Sequence, residues 1–213
     1  MKKPTTEQTV DRQPDRREPR RMRADGQRNL DSVLRAAMEV FAASGVDAPV
    51  REIAEKAGVG VGTMYRHFPR RSDLVVAVFQ AEVDACADAA SDIAGEHEPG
   101  EALAIWMQRY VDFIATKRGL GAALHSRDPA YIALPDYFSE RLEPALKALL
   151  DAAVAASALR PGTEANELLR AAATLCRGPH DEERAFARRM VQLLVDGLRY
   201  GTPARRGGPR EGS

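Results

Sequence analysis

Apolar side chains recur at intervals of three and four residues through most of the chain, which is the spacing of one face of an α-helix. Between residues 29 and 45, positions 33, 34, 37, 38 and 41 are apolar, and Gly45 follows as the expected helix end. No segment of the sequence shows the strict alternation of a half-buried strand. The pattern therefore predicts an all-α fold.

The same periodicity predicts where the other helices lie. Two short helices are expected at about 50–57 and 61–67, followed by a long helix from about Ser72 to Asp92. Further helices are expected at about 101–116, 119–126, 136–157, 164–176 and 181–200. Pro144 falls inside one of them, so that helix is expected to kink or to restart there.

Both ends of the chain are polar and contain few large apolar residues. Residues 1–27, which are rich in arginine, and residues 202–213 are therefore expected to form a disordered arm and a disordered tail. The helical part between them divides into a first domain at 28–71 and a second domain at 72–201.

Charge is distributed unevenly along the chain, although the net charge is zero. Residues 1–71 carry 15 basic and 10 acidic side chains, whereas residues 72–213 carry 16 basic and 21 acidic side chains. A basic N-terminal third on an acidic body indicates that one end of the molecule meets a polyanion. The sequence shows neither an apolar run near the ~20 residues of a membrane span nor a secretory signal, which favours a cytoplasmic protein without a membrane partner.

Candidate catalytic and metal-binding chemistry is sparse in the sequence. Cys86 and Cys176 are far apart, which disfavours a cysteine-rich metal site, and the four histidines show no metal-ligand spacing. No nucleophile or carboxylate pair suggests catalysis. The sequence therefore predicts a protein that is not an enzyme and that has no cofactor and no metal site.

The stretch GVGVGTMYRHF, residues 58–68, contains three glycines that suit either a nucleotide loop or a turn between helices. A dinucleotide fingerprint requires a preceding strand and a glycine at the position of Thr63, and a phosphate loop requires Gly-Lys-Ser/Thr. Neither requirement is met. Two short helices joined by a glycine-containing turn instead predict a helix-turn-helix, whose second helix enters the major groove of DNA.

Side chains within this motif fall into two groups. Met64 and Phe68 are four residues apart, so we expect them to pack the second helix onto the core. The other positions combine small glycines, which allow close approach to a groove, with polar donors and positive charge suited to DNA. These positions are Gly60, Gly62, Thr63, Tyr65, Arg66 and His67.

In the order and spacing of these motifs, residues 28–76 resemble the DNA-binding domain of the TetR family of bacterial transcription regulators. The segment from Trp106 to the closing LLVDGLRYG is similar to the SbtR-like type of C-terminal domain. The resemblance implies a homodimer that binds a double-stranded, palindromic DNA operator, most often as a repressor. It also implies a small apolar effector bound within the C-terminal helices.

The resemblance assigns roles to individual residues of the first domain. Phosphate contacts are implied for Thr63, Tyr65, His67 and Arg71. Base contacts are implied for Val61, Gly62 and Arg66. Gly60 stands where Ser is common, and Pro49 replaces a Ser or Thr that commonly touches phosphate, so we expect Arg51 to supply that contact.

Two sets of residues in the second domain are candidates for binding. Trp106, Tyr110 and Phe113 share one helical face, which suits either ordinary core packing or a cavity wall. The resemblance implies an effector pocket here, with His125 and Cys176 as polar walls, although a plain core or surface role is open for His125.

The last two helices carry apolar stripes that suit either packing within one chain or, as the resemblance implies, a four-helix interface between two chains. Small residues at Ala172 and Gly197 would let helices approach closely. The expected interface residues are Leu168, Ala172, Leu175, Phe186, Met190, Leu193, Leu194 and Gly197.

Other functions stay open at the level of the sequence. The protein could be a DNA-binding regulator without a small-molecule effector, or an activator. An all-α enzyme or an interaction scaffold would also fit the fold class, but neither would bind operator DNA specifically.

Overall fold

The computed structural model describes residues 18–117, 120, 128–176 and 181–200, and these residues form eight α-helices and no strand, which confirms the all-α prediction. The helices are α1 (Glu18–Ser44), α2 (Val50–Ala57), α3 (Val61–His67), α4 (Arg71–Glu96), α5 (Pro99–Lys117), α6 (Leu134–Ala155), α7 (Ala165–Leu175) and α8 (Asp181–Tyr200). A 3-10 turn, Pro129–Tyr131, precedes α6. Within the described ranges, no helix is both long enough and apolar enough to span a bilayer.

Some of the sequence predictions concern parts of the chain that lie outside the described residues. These are the arm at 1–17, the helix at 119–126 apart from Leu120, and the tail at 202–213.

Helix α1 begins at Glu18, inside the segment 1–27 for which the sequence predicts disorder. The prediction is therefore wrong for residues 18–27. Pro19 lies in the first turn, where proline is well tolerated, and the residues that follow are mostly good helix formers. The absence of apolar periodicity indicates that these residues do not pack against a core, but a helix can form without such packing.

Helices α4 and α6 also differ from the sequence prediction. Helix α4 runs four residues past Asp92 and ends at Glu96, just before His97, whose backbone is extended. Helix α6 passes through Pro144 as one helix. Leu142 and Leu146 flank that proline and are both fully buried, so packing offsets the backbone hydrogen bond that the proline removes.

Helix α4 links the two parts of the molecule. It packs against α1 on one side and against α5 and α6 on the other, while α5 also packs against α8. Buried side chains form one continuous core that extends from Met64 and Leu74 at the start of α4 to Trp106 and Leu146 in the second domain. The second domain and α3 therefore share one packed core.

Polar contacts fix α4 to α6. The Tyr137 hydroxyl donates a hydrogen bond to the Asp84 carboxylate, at 2.7 Å from Oδ1. Arg141 donates from Nε to Asp84 Oδ1 at 2.7 Å and from Nη2 to Asp88 Oδ1 at 2.8 Å. We call Asp84, Asp88, Tyr137 and Arg141 the α4–α6 latch.

Candidate DNA-binding surface

The turn between α2 and α3 is set by Gly58, which ends α2 in the left-handed conformation with φ of 69°. The Val59 N–H donates to the Ala54 carbonyl at 3.0 Å, which completes the glycine C-cap that commonly ends helices. Helix α3 begins three residues after Gly58. The two helices are thus joined by the tight glycine turn that the sequence predicts.

Helix α3 is held on the core by Met64, whose side chain is only 1% exposed. Phe68, one turn later, is half-buried against the same core. Ile53 and Ala54 of α2 are buried in that core as well. This confirms the predicted anchoring face of α3 and turns the opposite side outward.

The outward side of α3 consists of Val61, Gly62, Tyr65 and Arg66, which we call the recognition face. Tyr65 is 54% exposed and Val61 is 38% exposed, so the rest of the described chain covers neither side chain. A methyl group built on Gly62 would meet no atom within 4 Å. The recognition face is therefore unobstructed and presents aromatic, apolar and cationic groups side by side.

Arg66 contacts neighbours on its own helix. Its Nε donates to the Gly62 carbonyl at 3.3 Å, and its Nη2 donates to Thr63 Oγ1 at 3.2 Å. Thr63 itself is half-buried, while Gly60 and His67, at the two ends of α3, are exposed. The structure thus places the predicted DNA-contacting residues 60–63 and 65–67 around one short helix.

Two other arginines near α3 are paired with carboxylates. Arg51 lies 2.9 Å from Glu55 Oε1 on α2. Arg70 Nη2 lies 2.8 Å from Asp73 Oδ1, and the backbone N–H of Arg70 donates to Asp73 Oδ2. These hydrogen bonds from Arg70 hold the pKa of the Asp73 carboxyl below its usual value. Arg51, for which the sequence predicts a phosphate contact, is thus exposed and has an acidic neighbour.

Arg71, for which the sequence predicts a phosphate contact, closes the loop between α1 and α2. Its guanidinium donates to the backbone carbonyls of Val46 and Ala48 and lies 5.7 Å from the ring centre of Phe41. We call this arrangement the Arg71 clamp. No local sequence signal distinguishes this clamp from a phosphate contact, because its acceptors lie more than 20 residues earlier in the chain.

The predicted pocket residues on α5 lie in a packed aromatic cluster. Trp106 and Tyr110 stack with ring centres 5.8 Å apart, and Phe113 and Phe138 pack against Tyr110 and against each other. Trp106 Nε1 donates to the Cys86 carbonyl at 2.9 Å, and the Tyr110 hydroxyl donates to the Leu169 carbonyl at 3.2 Å. No sequence signal pointed to Phe138, because only the fold brings α6 to this cluster.

Of the two residues predicted as polar walls of the pocket, Cys176 is among the described residues and His125 is not. Cys176 is buried at the end of α7. Burial raises the pKa of the Cys86 thiol to about 12, so this nearby cysteine is neutral at physiological pH. The Cys86 thiol beside the aromatic cluster therefore carries no charge.

Two cavities with fully described linings lie away from this cluster. A cavity of about 810 Å³ lies between α6 and the start of α7, bordered by residues such as Lys147, Leu150 and Thr163. A second cavity of about 380 Å³ lies between α4 and α6. Neither is lined by Trp106 or Tyr110, and the sequence analysis predicted neither of them.

The predicted interface residues on α7 and α8 divide into three groups. Leu168 and Ala172 are 4% and 0% exposed within the single chain, so their side chains are covered before any partner arrives. Leu175, Met190 and Leu194 are half-buried. Phe186, Leu193 and Gly197 are exposed. Leu168 and Ala172 therefore belong to the core of the single chain, and the exposed members of the predicted set lie on α8.

Comparison with known proteins gives two matching family models. The model of the tetR family of bacterial regulatory proteins matches residues 33–78. The model of the C-terminal domain of SbtR-like transcriptional regulators matches residues 98–200. The two matches together include α3, with its recognition face, and most of the second domain.

Individual relatives support the same assignment. The chain is similar to the crystal structure of a TetR transcriptional regulator from Streptomyces coelicolor, with 35% identity and a TM-score of 0.70, over 81% of this chain and 99% of that chain. A TetR transcription regulatory protein from Mycobacterium vanbaalenii matches with 35% identity and a TM-score of 0.66, over 84% and 99% of the two chains.

The match to a curated relative is shorter. An HTH-type transcriptional regulator from Staphylococcus aureus is 38% identical over 64 residues, which is 30% of this chain and 35% of that protein. The chain therefore spans about a third of the length of the curated relatives that it matches.

Proposed function

Because this chain belongs to the TetR family of bacterial transcriptional regulators, we propose that it is a repressor that binds a palindromic operator as a homodimer. It acts on double-stranded DNA in the cytoplasm, and a small apolar effector releases it from the operator. The second domain binds the effector and forms the dimer.

The recognition face of α3 is the observation that carries this proposal. Met64 packs the other side of α3 onto the core, and Tyr65 and Arg66 project into solvent. No other part of the described chain covers these two side chains. Aromatic and arginine side chains on an exposed helix suit phosphate and base-edge contacts in a major groove. Gly62 between them leaves room for the DNA.

A dimer is supported by the exposed stripe on α8. Phe186 is 48% exposed and Leu193 is 64% exposed, and Gly197 is exposed one turn later. The spacing of 186, 190, 193 and 197 follows the alternation of four and three residues that brings two helices together. Two copies joined here would present two recognition faces, which must lie roughly 34 Å apart to enter successive major grooves.

The proposed effector site lies at the aromatic cluster around Trp106 and Tyr110. This cluster is apolar, and it sits beside α4, the helix that leads to α3. Its side chains are closely packed, so an effector must displace some of them. An effector that binds the displaced arrangement more tightly shifts the protein towards a form that binds DNA less well.

The DNA-binding part of the proposal is tested by a DNA-retardation assay with the intergenic DNA that flanks the gene. The wild-type protein is expected to retard this DNA specifically, and Tyr65→Ala is expected to abolish the specific shift. Tyr65→Phe, which keeps the ring, separates the contribution of the hydroxyl group. If Tyr65→Ala binds as tightly as the wild type, α3 is not the DNA-contacting helix.

The effector part has its own readout, because Trp106 is the only tryptophan of the sequence. A screen of apolar compounds should find ligands that change the tryptophan emission and raise the unfolding temperature. The same ligands should release the protein from its operator. Ligands that raise the unfolding temperature without changing the emission would bind away from the proposed site.

A further inference from the structure

The arginines around α3 differ in the contacts that they already make. Arg51 has a carboxylate at 2.9 Å and Arg70 has one at 2.8 Å. Arg71 donates to two backbone carbonyls of the loop between α1 and α2. Arg66 has no carboxylate partner among the residues that the structure describes, and both of its hydrogen-bond acceptors are uncharged.

The contacts of Arg66 also fix where its guanidinium lies. The Gly62 carbonyl and Thr63 Oγ1, which accept its hydrogen bonds, are four and three residues earlier in α3. The guanidinium is therefore drawn back towards the N-terminal turn of α3. In helix-turn-helix proteins the N-terminal residues of the second helix contact the base edges, whereas the first helix crosses the DNA backbone.

The remaining hydrogen-bonding capacity of Arg66 suits one base in particular. A guanidinium has five N–H donors, and the two contacts leave both donors on Nη1 and one on Nη2. Two parallel donors match the O6 and N7 acceptors of guanine in the major groove. Nothing on the preceding turn blocks this approach, since Gly62 lacks a side chain.

We infer that Arg66 determines sequence specificity by binding a guanine in each half of the operator through two parallel hydrogen bonds. This inference rests on the proposed function, because it requires α3 to lie in the major groove. It names the base that the recognition face selects, which membership of the family does not specify. The neighbouring Gly62 and Thr63 hold the guanidinium in place before DNA binds.

The first experiment selects bound sequences from a random duplex library and compares four proteins: wild type, Arg66→Ala, Arg66→Lys and Arg160→Ala. The wild type should select a motif with one conserved guanine per half-site. Arg66→Ala should lose that guanine while its other positions stay conserved. Arg66→Lys keeps the charge and can still donate to guanine, but it lacks the planar fork, so it should select the guanine less strongly than the wild type does. Arg160, exposed after α6, is the charge-matched control and should keep the whole motif.

The second experiment measures affinity for the selected operator with that guanine changed. Replacing the G·C pair should weaken wild-type binding by about 5- to 150-fold, the range expected for one bidentate arginine–guanine contact. Replacing guanine by 7-deazaguanine, which lacks the N7 acceptor, should also weaken the wild type. Neither replacement should change the affinity of Arg66→Ala.

The outcomes separate this inference from the function on which it rests. If the wild type selects a motif and Arg66→Ala selects the same motif with uniformly weaker binding, Arg66 contacts phosphate and the inference is wrong. If the wild type selects no motif, the proposed operator binding fails as well. Equal sensitivity of wild type and Arg66→Ala to 7-deazaguanine would also overturn the inference.

Discussion

Gly62 lies within α3 without a steric reason to be glycine, because a methyl group at its Cα would meet no atom within 4 Å. Its backbone is helical, and alanine is the better helix former. We therefore expect Gly62→Ala to raise the free energy of unfolding by roughly 0.5–1 kcal/mol. The same methyl group projects from the recognition face, so we expect operator affinity to fall severalfold.

Urea unfolding and DNA titration check these two opposite effects on the same samples. Gly95→Ala is the matched control, because Gly95 is also an exposed helical glycine with open space around it but lies near the far end of α4. It should leave DNA binding unchanged. A Gly62→Ala protein that gains stability and binds DNA normally would show that the groove does not approach residue 62.

The sequence predicted the exposure of individual site residues better than it predicted what covers the buried ones. Periodicity placed Met64 inwards and Tyr65 outwards because a short helix has one side to bury. It could not distinguish Leu168 and Ala172, which the same chain covers, from Leu193, which it leaves exposed. All three are apolar positions on amphipathic helices, and only the packed fold shows which neighbour each one meets.

At the level of elements, the Arg71 clamp joins the start of α4 to the loop between α1 and α2. We expect Arg71→Lys to lower the free energy of unfolding by about 1–2 kcal/mol, because lysine cannot donate to both carbonyls in the same geometry. Thermal or urea unfolding measures the loss. Arg70→Ala is the neighbouring control: it removes an exposed ion pair, which contributes little to stability, so this variant should unfold close to the wild type.

This comparison also decides between the two roles of Arg71. A residue that serves only as a phosphate ligand would leave stability unchanged when replaced by lysine and would lose little DNA affinity, because the charge is kept. A stability loss in the absence of DNA would instead show that Arg71 holds the helix-turn-helix against α4.

The α4–α6 latch gives a second prediction at this scale. Tyr137→Phe removes the hydroxyl that donates to Asp84, and we expect it to lower the free energy of unfolding by about 1 kcal/mol. The control is Tyr131→Phe, on the 3-10 turn, for which the structure gives no hydroxyl hydrogen bond among the described residues. Tyr131→Phe should match the wild type.

The pH dependence of this difference follows from the pKa of Tyr137. Burial, followed by the hydrogen bond to Asp84, raises the pKa of the Tyr137 hydroxyl above its usual value. A raised pKa in the folded state means that the contribution is complete below the unfolded value near 10 and is lost as pH rises through the folded value. The gap between wild type and Tyr137→Phe should therefore be constant from about pH 6 to 9. A gap that shrinks within this range would contradict the assignment.

Helix boundaries illustrate what local sequence can and cannot predict for elements. The bounds of α2 and α3 are confirmed because Gly58 and Pro69 interrupt the chain at both ends. The start of α1 was wrong because polar helix formers carry no periodicity that distinguishes a solvated helix from an unfolded arm. Pro144 predicted that α6 would kink or restart, and α6 continues through it as one helix with buried leucines on both sides.

At the scale of the whole molecule, the proposed function requires two copies of the chain, and the exposed stripe on α8 is where they should meet. Leu193 is 64% exposed, so Leu193→Glu should change the stability of one chain by less than about 0.5 kcal/mol. A buried pair of carboxylates at the interface would nevertheless be strongly unfavourable, so the variant should be a monomer by sedimentation velocity. Ile132→Glu is the control, because Ile132 is 75% exposed but lies off α8, and this variant should stay dimeric.

Loss of the dimer should then lower the affinity for an operator with two half-sites more than the affinity for a single half-site. Joining two DNA-binding units commonly raises affinity by about 10²- to 10⁴-fold, because the second half-site is bound at high effective concentration. Leu193→Glu should therefore lose at least about 100-fold in affinity for the full palindrome while binding a single half-site as the wild type does. If Leu193→Glu stays dimeric with full operator affinity, the interface lies elsewhere. If it is monomeric and also loses half-site binding, the dimer would be needed to hold α3 in its binding position as well as to supply the second copy.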